Sequence, residues 1–411
     1  MSVTVSSVRR VRAISVTERR RWLGWRHGLA PGARSATAAD AARRILALHA
    51  TDPGSVYLQV RARTERVSPA DVSDALYRDK ALVRLLAMRR TLFVVPAESA
   101  PMIQHGAGDQ VAARLRRDLV KRLAADPEHP AAQSGNADAW LADVADSVEA
   151  VLDAEGPLAG AQLSAREPRL RSQLMYAQGK TYGGPVAITS PTLSWLSAAG
   201  RIIRGHAGAN WGSSRYEWWT PKRFLPPSGI GPMSAEEAQR ELVRSWLATF
   251  APATVEDIAW WTGWNLRDTR AALSGVETVP VELEDEEKPG LLLAEDADTQ
   301  VLESKPWLVF LPSLDPTPMG YQRRGFYLSD RAKRELFDTN GNIGPSVWLD
   351  GRIVGGWAQR PDGDVPFELF EDLGDDVAVM ATAEAERVAA WHDGVSVSPR
   401  FPTPLLKRLR A

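Results

Sequence analysis

The chain has 411 residues, 44 % hydrophobic and 25 % charged, with no cysteine and a net charge of −1. This is ordinary globular usage, so fibrous and disordered classes are excluded, and the length points to two to four domains. Without cysteine there is no disulfide, thiolate metal site or cysteine nucleophile, and a reducing compartment is expected.

The charge is unevenly placed. Residues 1–122 hold 23 basic against 10 acidic residues, leaving 27 against 41 in the remainder. A basic half of +13 beside an acidic half of −14 points to a polyanion partner. Arginine outnumbers lysine 42 to 8, and arginine is the better fork for phosphates and base edges. No apolar run reaches membrane-spanning length, and the N-terminal segment lacks the apolar core of a secretory signal. The expected location is cytoplasmic and nucleoid-associated, with no membrane. The six histidines lack metal-ligand spacing, so no metal is expected.

A helix over 37–50 opens a first unit (1–120), with Thr37 and Asp40 at capping-box spacing. Pro53 disfavours helix at Asp52 and ends it. SVYLQVRAR, a helix PADVSDALYRD, ALVRLLAM and a strand RTLFVVP follow. In a second unit (121–232), helix DAWLADVADSVEAVLDAE ends at Gly156. PLAGAQLSARE and PTLSWLSAAG give two more helices, the latter with Gly200 as C-cap, and a hairpin runs from RIIRG to RYEWW. The third unit (233–300) is the clearest. Ser234 and Glu237 begin a helix that Pro252 breaks, Thr254 starts a second that Gly263 ends, and NLRDTRAALSG is a third. Two extended runs, VETVPVELE and GLLLAED, close it as a hairpin. Three helices and a hairpin make the winged-helix plan. From 301 to 411 the chain is β-rich, with LVFLP, GRIVGGWAQ and PFELFED as strands and turns at Asp350-Gly351 and Asp362-Gly363. A helix over 376–392 follows. The fold class is therefore α+β: three tandem winged-helix units with a C-terminal β-rich part.

His49, Thr51 and Asp52 fall together at the expected helix exit, where polar side chains can converge on a groove. Arg89 and Arg90 precede the first wing strand, Arg201, Arg204 and Arg215 bracket the second wing, and Arg323 and Arg324 lie in the turn GYQRRGFY. Basic and aromatic residues at hairpin tips suit phosphate contact and base stacking. Trp218, Trp219, Trp260, Trp261 and Trp264 read as core. The acidic run 283–287 reads as a solvated turn facing away from any DNA groove. No phosphate-binding loop, nucleophile elbow or zinc motif occurs, so no cofactor is expected.

RILALHATDPGSVYLQVRAR, MRRTLFVVPA, WLATFAPATVEDIAWWTGW, GNIGPSVWLDGRIVGGWAQRPDG and GYQRRGFYL together resemble bacterial winged-helix DNA glycosylases of the AlkZ and YcaQ type, from about 40 to 372. The resemblance implies a C-shaped arrangement of winged helices around a basic channel. Its implied activity is monofunctional hydrolysis of the N-glycosidic bond of N7- or N3-alkylated purines. Bulky adducts are included, and self-resistance to a genotoxic natural product is the implied setting. The partner is double-stranded DNA carrying alkylated purines. Where the family has Gln-x-Gln or Gln-x-Asp, this chain has His49-Ala50-Thr51, followed by Asp52. Gln59 lies beyond that register. Gln359, in the WLDGRIVGGWAQR block, joins Arg89, Arg90, Arg204, Arg215, Arg323 and Arg324 in the expected DNA-binding set.

An N7-alkylpurine is a cationic leaving group that needs no acid, so the site must hold a water and stabilise an oxocarbenium-like state. A neutral His49 with ordinary titration near 6.5 would take the proton, Thr51 would orient the water, and Asp52 would stabilise the sugar cation. Three unlike wings in one chain suit a monomer, since a dimeric repressor needs two-fold half-sites. The competing reading is a non-catalytic winged-helix DNA-binding protein for lesion recognition or regulation. His-x-Thr keeps hydrogen-bonding capacity, which favours the enzyme.

Overall fold

The computed structural model describes residues 11–176, 183–205, 208, 210–225 and 229–411. Residues 1–10 and His206 lie outside the described residues.

What stops the first expected helix decides the layout of the N-terminal part. Thr37 caps helix Ala38–Arg44 by accepting from the Asp40 amide. The helix ends at Arg44, not residue 50, because Leu46 turns left-handed with φ 66°. Leu48–His49 then forms a strand, pairing antiparallel with Val94 and Phe93. Pairing with a distant β-branched strand overrides the local helix signal. Pro53 occupies the first turn of the next helix, Pro53–Arg63, where its missing N–H costs nothing. That helix is buried on nearly every side. Strand Thr91–Pro96 lies between Leu48–His49 and Leu82–Ala87 in a three-stranded antiparallel sheet.

The second group follows its expected order more closely. Gly156, at φ 91°, ends helix Ala137–Glu155. Strand Leu158–Ala159, helix Gly160–Arg166 and helix Thr189–Ala198 precede strands Ile203–Arg204 and Glu217–Trp219. Glu217–Trp219 is the middle strand of this sheet. A hairpin of Gln173–Tyr176 and Gly184–Ala187, unforeseen in the sequence, separates the two helices.

The third group matches its caps. Ser234, Thr254 and Asn265 each cap a helix (Ala235–Phe250, Val255–Thr262, Leu266–Leu273), and Gly263 closes the second one left-handed. The hairpin is Thr278–Leu283 with Gly290–Leu293. Strand Arg12–Ile14 adds to it in parallel, an unforeseen closure by the N-terminal segment.

The C-terminal sheet is an antiparallel meander of Leu308–Leu311, Ser346–Leu349, Arg352–Trp357 and Phe367–Leu369. Asp350 (φ 47°) and Gly351 (φ 83°) make its two-residue turn, with positive φ at both positions. Helix Asp375–His392 returns to the N-terminal part, where Glu384 meets Arg61 at 2.5 Å and Trp391 Nε1 donates to the Val67 carbonyl. Arg63 and Asp315 form a two-bond ion pair (2.8 and 2.7 Å) with both side chains fully buried. The long buried helix is thus bolted to the C-terminal part, where helices Pro316–Met319, Asp330–Leu336, Asp375–His392 and Pro404–Arg410 outweigh the sheet, so the β-rich expectation for 301–411 is corrected. No described helix is long and apolar enough to cross a membrane.

Candidate active site and nucleic-acid interface

His49, Thr51 and Asp52 lie where strand Leu48–His49 bends into helix Pro53–Arg63. Across a sheet, paired residues share a face and successive ones alternate. Leu48, Val94 and Arg84 therefore line one face, and His49, Phe93 and Leu85 the other.

On the His49 face, the imidazole packs edge-on against Phe93 (5.6 Å), which leans on Trp261. The residue is 7 % exposed, and Nδ1 is buried without a partner. Burial first, and then the Arg89 charge, push His49 down to about 3. It is therefore neutral at working pH, and it is a poor proton acceptor. The expected titration near 6.5 at a helix exit is corrected on both counts. Its backbone is held by Gln59, whose Oε1 accepts from the His49 amide and whose Nε2 donates to the His49 carbonyl, both at 2.9 Å. Gln59 Nε2 also lies 3.1 Å from Ser55 Oγ. Ten residues separate Gln59 from His49, so only the folded bend shows this clamp.

Arg89 and Arg90 sit left-handed (φ 53° and 57°) in the turn between Leu82–Ala87 and Thr91–Pro96. Non-glycine residues pay for this conformation, as they often do at functional turns. The Arg89 guanidinium lies 4.0 Å from the Trp260 ring centre, and Arg324 lies 5.2 Å from the same ring. Burial and the Arg324 charge lower Arg89 to about 10. Trp261 and Trp264 are core as expected, but Trp260 is half-buried and shared by two cations.

Asp52 faces different neighbours. It is 5 % exposed, and burial pushes its carboxyl up to about 6. Backbone amides of Arg400, Gly54 and Ser55, with the Arg400 charge, oppose that push without overcoming it. A carboxylic acid poised this close to neutrality is suited to proton transfer. Asp52 also acts electrostatically on Tyr216, which in turn feels Arg84 and Arg204. Thr51 is half-buried at the bend between the two surroundings.

Three expected features are relocated. The acidic run 283–287 is not a free solvated turn: Asp285 meets buried Arg19 at 2.6 Å, and Glu286 lies 3.4 Å from Arg323. The run therefore packs beside GYQRRGFY instead of facing away from it. Within that turn Tyr321, Phe326 and Tyr327 are buried against one another, and the Tyr321 hydroxyl donates to the Phe250 carbonyl. They are core, not stacking groups. Gln359 is buried with both amide ends used, donating to Val395 O and accepting from Val397 N. It ties the C-terminal segment down. Arg90, Arg215 and Arg323 are exposed; Arg204 and Arg324 are half-buried.

A family model described as DNA glycosylase AlkZ-like matches residues 42–391, which span the bend, both arginine clusters and the GYQRRGFY turn. The chain belongs to the AlkZ-like DNA glycosylase family. The structure of a Streptomyces sahachiroi DNA glycosylase AlkZ superposes on it with a TM-score of 0.70 at 19 % identity, covering 94 % of this chain and 99 % of that one. No curated protein matches. In this AlkZ-like chain the α+β architecture is that of the matched structure, and the family makes DNA the substrate. Sequence reasoning singled out Asp52, Arg89, Arg204 and Arg324 and set Gln59 aside as out of register, but passed over Arg84, Tyr216 and Arg400, whose roles arise only from contacts across the fold.

Proposed function

We propose that this chain is a monofunctional DNA glycosylase that hydrolyses the N-glycosidic bond of N7- or N3-alkylated purines, bulky adducts included. The observation that carries this reading is the setting of Asp52. A buried carboxyl pushed up to about 6 stands at one end of a bend flanked by arginines that have no acidic partner within 4 Å among the described residues. Arg89 and Arg324 lie beyond one face and Arg84 and Arg204 beyond the other. Such cations suit the phosphates on either side of a nucleotide drawn out of the duplex.

The alkylated base leaves with its bonding electrons, neutralising its own positive charge. A water adds to C1′ as the bond breaks, and Asp52 accepts its proton. Ionised Asp52 also stabilises the cationic sugar before the proton moves. Thr51, between the two surroundings, orients the water, while neutral His49 props the bend from the Phe93 side. The proton-accepting role thus passes from His49 to Asp52. The products are the free base and an abasic sugar on an unbroken strand. The three helix-and-hairpin groups are read as winged-helix units around a basic channel, acting as a monomer.

The test is incubation with duplex DNA containing N7-methylguanine or a bulky N7 adduct. Released base and alkali-labile sites should appear together. Tight binding without released base would favour the lesion-recognition reading, which His-x-Thr in place of the glutamine pair makes specific.

A further inference from the structure

Arg84 stands in the middle of strand Leu82–Ala87, where every residue is buried. The residue is 2 % exposed, and its Nε and Nη1 are buried without a hydrogen-bond partner. No carboxylate lies within ion-pair distance of it among the described residues. Two buried, unanswered N–H groups on a cation are costly and are rarely retained without a use. Other deeply buried arginines here also leave donors unused, Nε and Nη2 on Arg19 and Nε on Arg63, but each has a carboxylate: Arg63 has Asp315, Arg19 has Asp285 and Arg26 has Asp296, whereas Arg84 has none.

Arg84 also has company. Leu82–Ala87 is an edge strand of the first sheet and packs against Ile203–Arg204, an edge strand of the second. Arg204 brings a second guanidinium whose Nε is buried and unpartnered. Both guanidiniums rest on the ring of Tyr216, at 5.7 Å (Arg84) and 5.4 Å (Arg204), and Arg204 also lies over Trp218 at 5.0 Å. Arg204 and Tyr216 are half-buried, so the cluster is reached from their side. Exposed Arg400 acts on both Arg204 and Asp52, which puts the cluster beside the proposed catalytic carboxyl.

We propose that Arg84, Arg204 and Tyr216 form a receptor for one phosphodiester group of the DNA strand that carries the damaged base. Two guanidiniums fixed against aromatic rings offer unused donors to a single tetrahedral anion, and arginine forks match phosphate oxygens bidentately. The receptor lies between the first and second sheets, so filling it fixes those two units relative to each other and presents the nucleotide to Asp52. This rests on the glycosylase reading.

The experiment uses Arg84→Met, which keeps the length and removes the charge, with Arg84→Lys beside it. DNA affinity is measured against salt, and thermal stability is measured in chloride and in inorganic phosphate at matched ionic strength. For Arg84→Met the log–log salt slope should fall by about 0.9, the value of one phosphate. The same variant should melt at a higher temperature than the wild type, because an unanswered buried cation is gone. Phosphate should stabilise the wild type but not Arg84→Met, and Arg84→Lys should keep most of the slope. A lower melting temperature with an unchanged slope would make Arg84 structural and overturn the proposal. Phosphate stabilisation with an unchanged DNA slope would assign the cluster to a free anion and overturn it equally. If the slope falls as expected but the wild type releases no base, the receptor stands and the glycosylase reading fails.

Discussion

Replacing Asp52 by Asn separates its chemistry from its folding role, because the two move in opposite directions. The carboxyl titrates at about 6 in the folded chain against an ordinary 3.8, a gap of about 2 pH units. At 1.36 kcal/mol per pH unit, the ionised carboxylate costs the fold about 3 kcal/mol above pH 6. The sign follows from the raised value: the unfolded chain holds the charge more readily, so the cost is full at high pH and fades as pH falls from 6 toward 3.8. At pH 4.5 about 1 kcal/mol remains. Asn has nearly the same shape and no charge, so Asp52→Asn should stabilise the protein, more at pH 8 than at pH 4.5. Excision should nevertheless fall by about 10²-fold or more, the usual worth of a general base. Denaturant melts at the two pH values, with single-turnover excision at pH 8, give both readings. An equal stability change at both pH values would refute the burial argument. Undiminished excision would remove Asp52 from the chemistry.

Further outcomes follow from the same geometry. Excision should rise with pH through about 6 as Asp52 ionises, and His49→Ala should lower the rate about 10-fold without moving that limb; a displaced limb would return the proton to His49. Arg63→Met leaves Asp315 buried and unpaired, so it should destabilise by about 3–5 kcal/mol in denaturant melts. A change under 1 kcal/mol would show that the pair is not holding the buried helix to the C-terminal part. Arg89→Ala with Arg324→Ala should reduce the salt slope of DNA binding by up to about 2, and an unchanged slope would leave Trp260 with a purely structural pair of cations.

The third helix group was legible because its signals are local. Ser234, Thr254, Asn265 and Gly263 each act within a few residues, and all fall where the sequence places them. The first group was less legible because its central event is not local. Leu48–His49 becomes a strand only by pairing with Val94 and Phe93, more than 40 residues away. The site inherits that difficulty. Asp52 could be named from its place before Pro53, but its raised titration comes from burial, which no local pattern encodes. Nothing in the segment ALVRLLAM marks Arg84, because what sets it apart is the second sheet that covers it. The run LEDEE reads as solvated because its partners, Arg19 and Arg323, are far away in sequence. The aromatics of GYQRRGFY show the same limit. Their type suits both a core and a stacking platform, and only Phe250 and their mutual packing decide it.

The most direct test of the account is a single-turnover reaction of wild type and Asp52→Asn, in parallel, on a duplex carrying one N7-methylguanine, with free base quantified by mass spectrometry. The account predicts one equivalent of free N7-methylguanine and an unbroken abasic strand from the wild type, with release slowed about 10²-fold or more in the variant at equal DNA occupancy. A wild type that binds the duplex and releases no base above the spontaneous rate would contradict it.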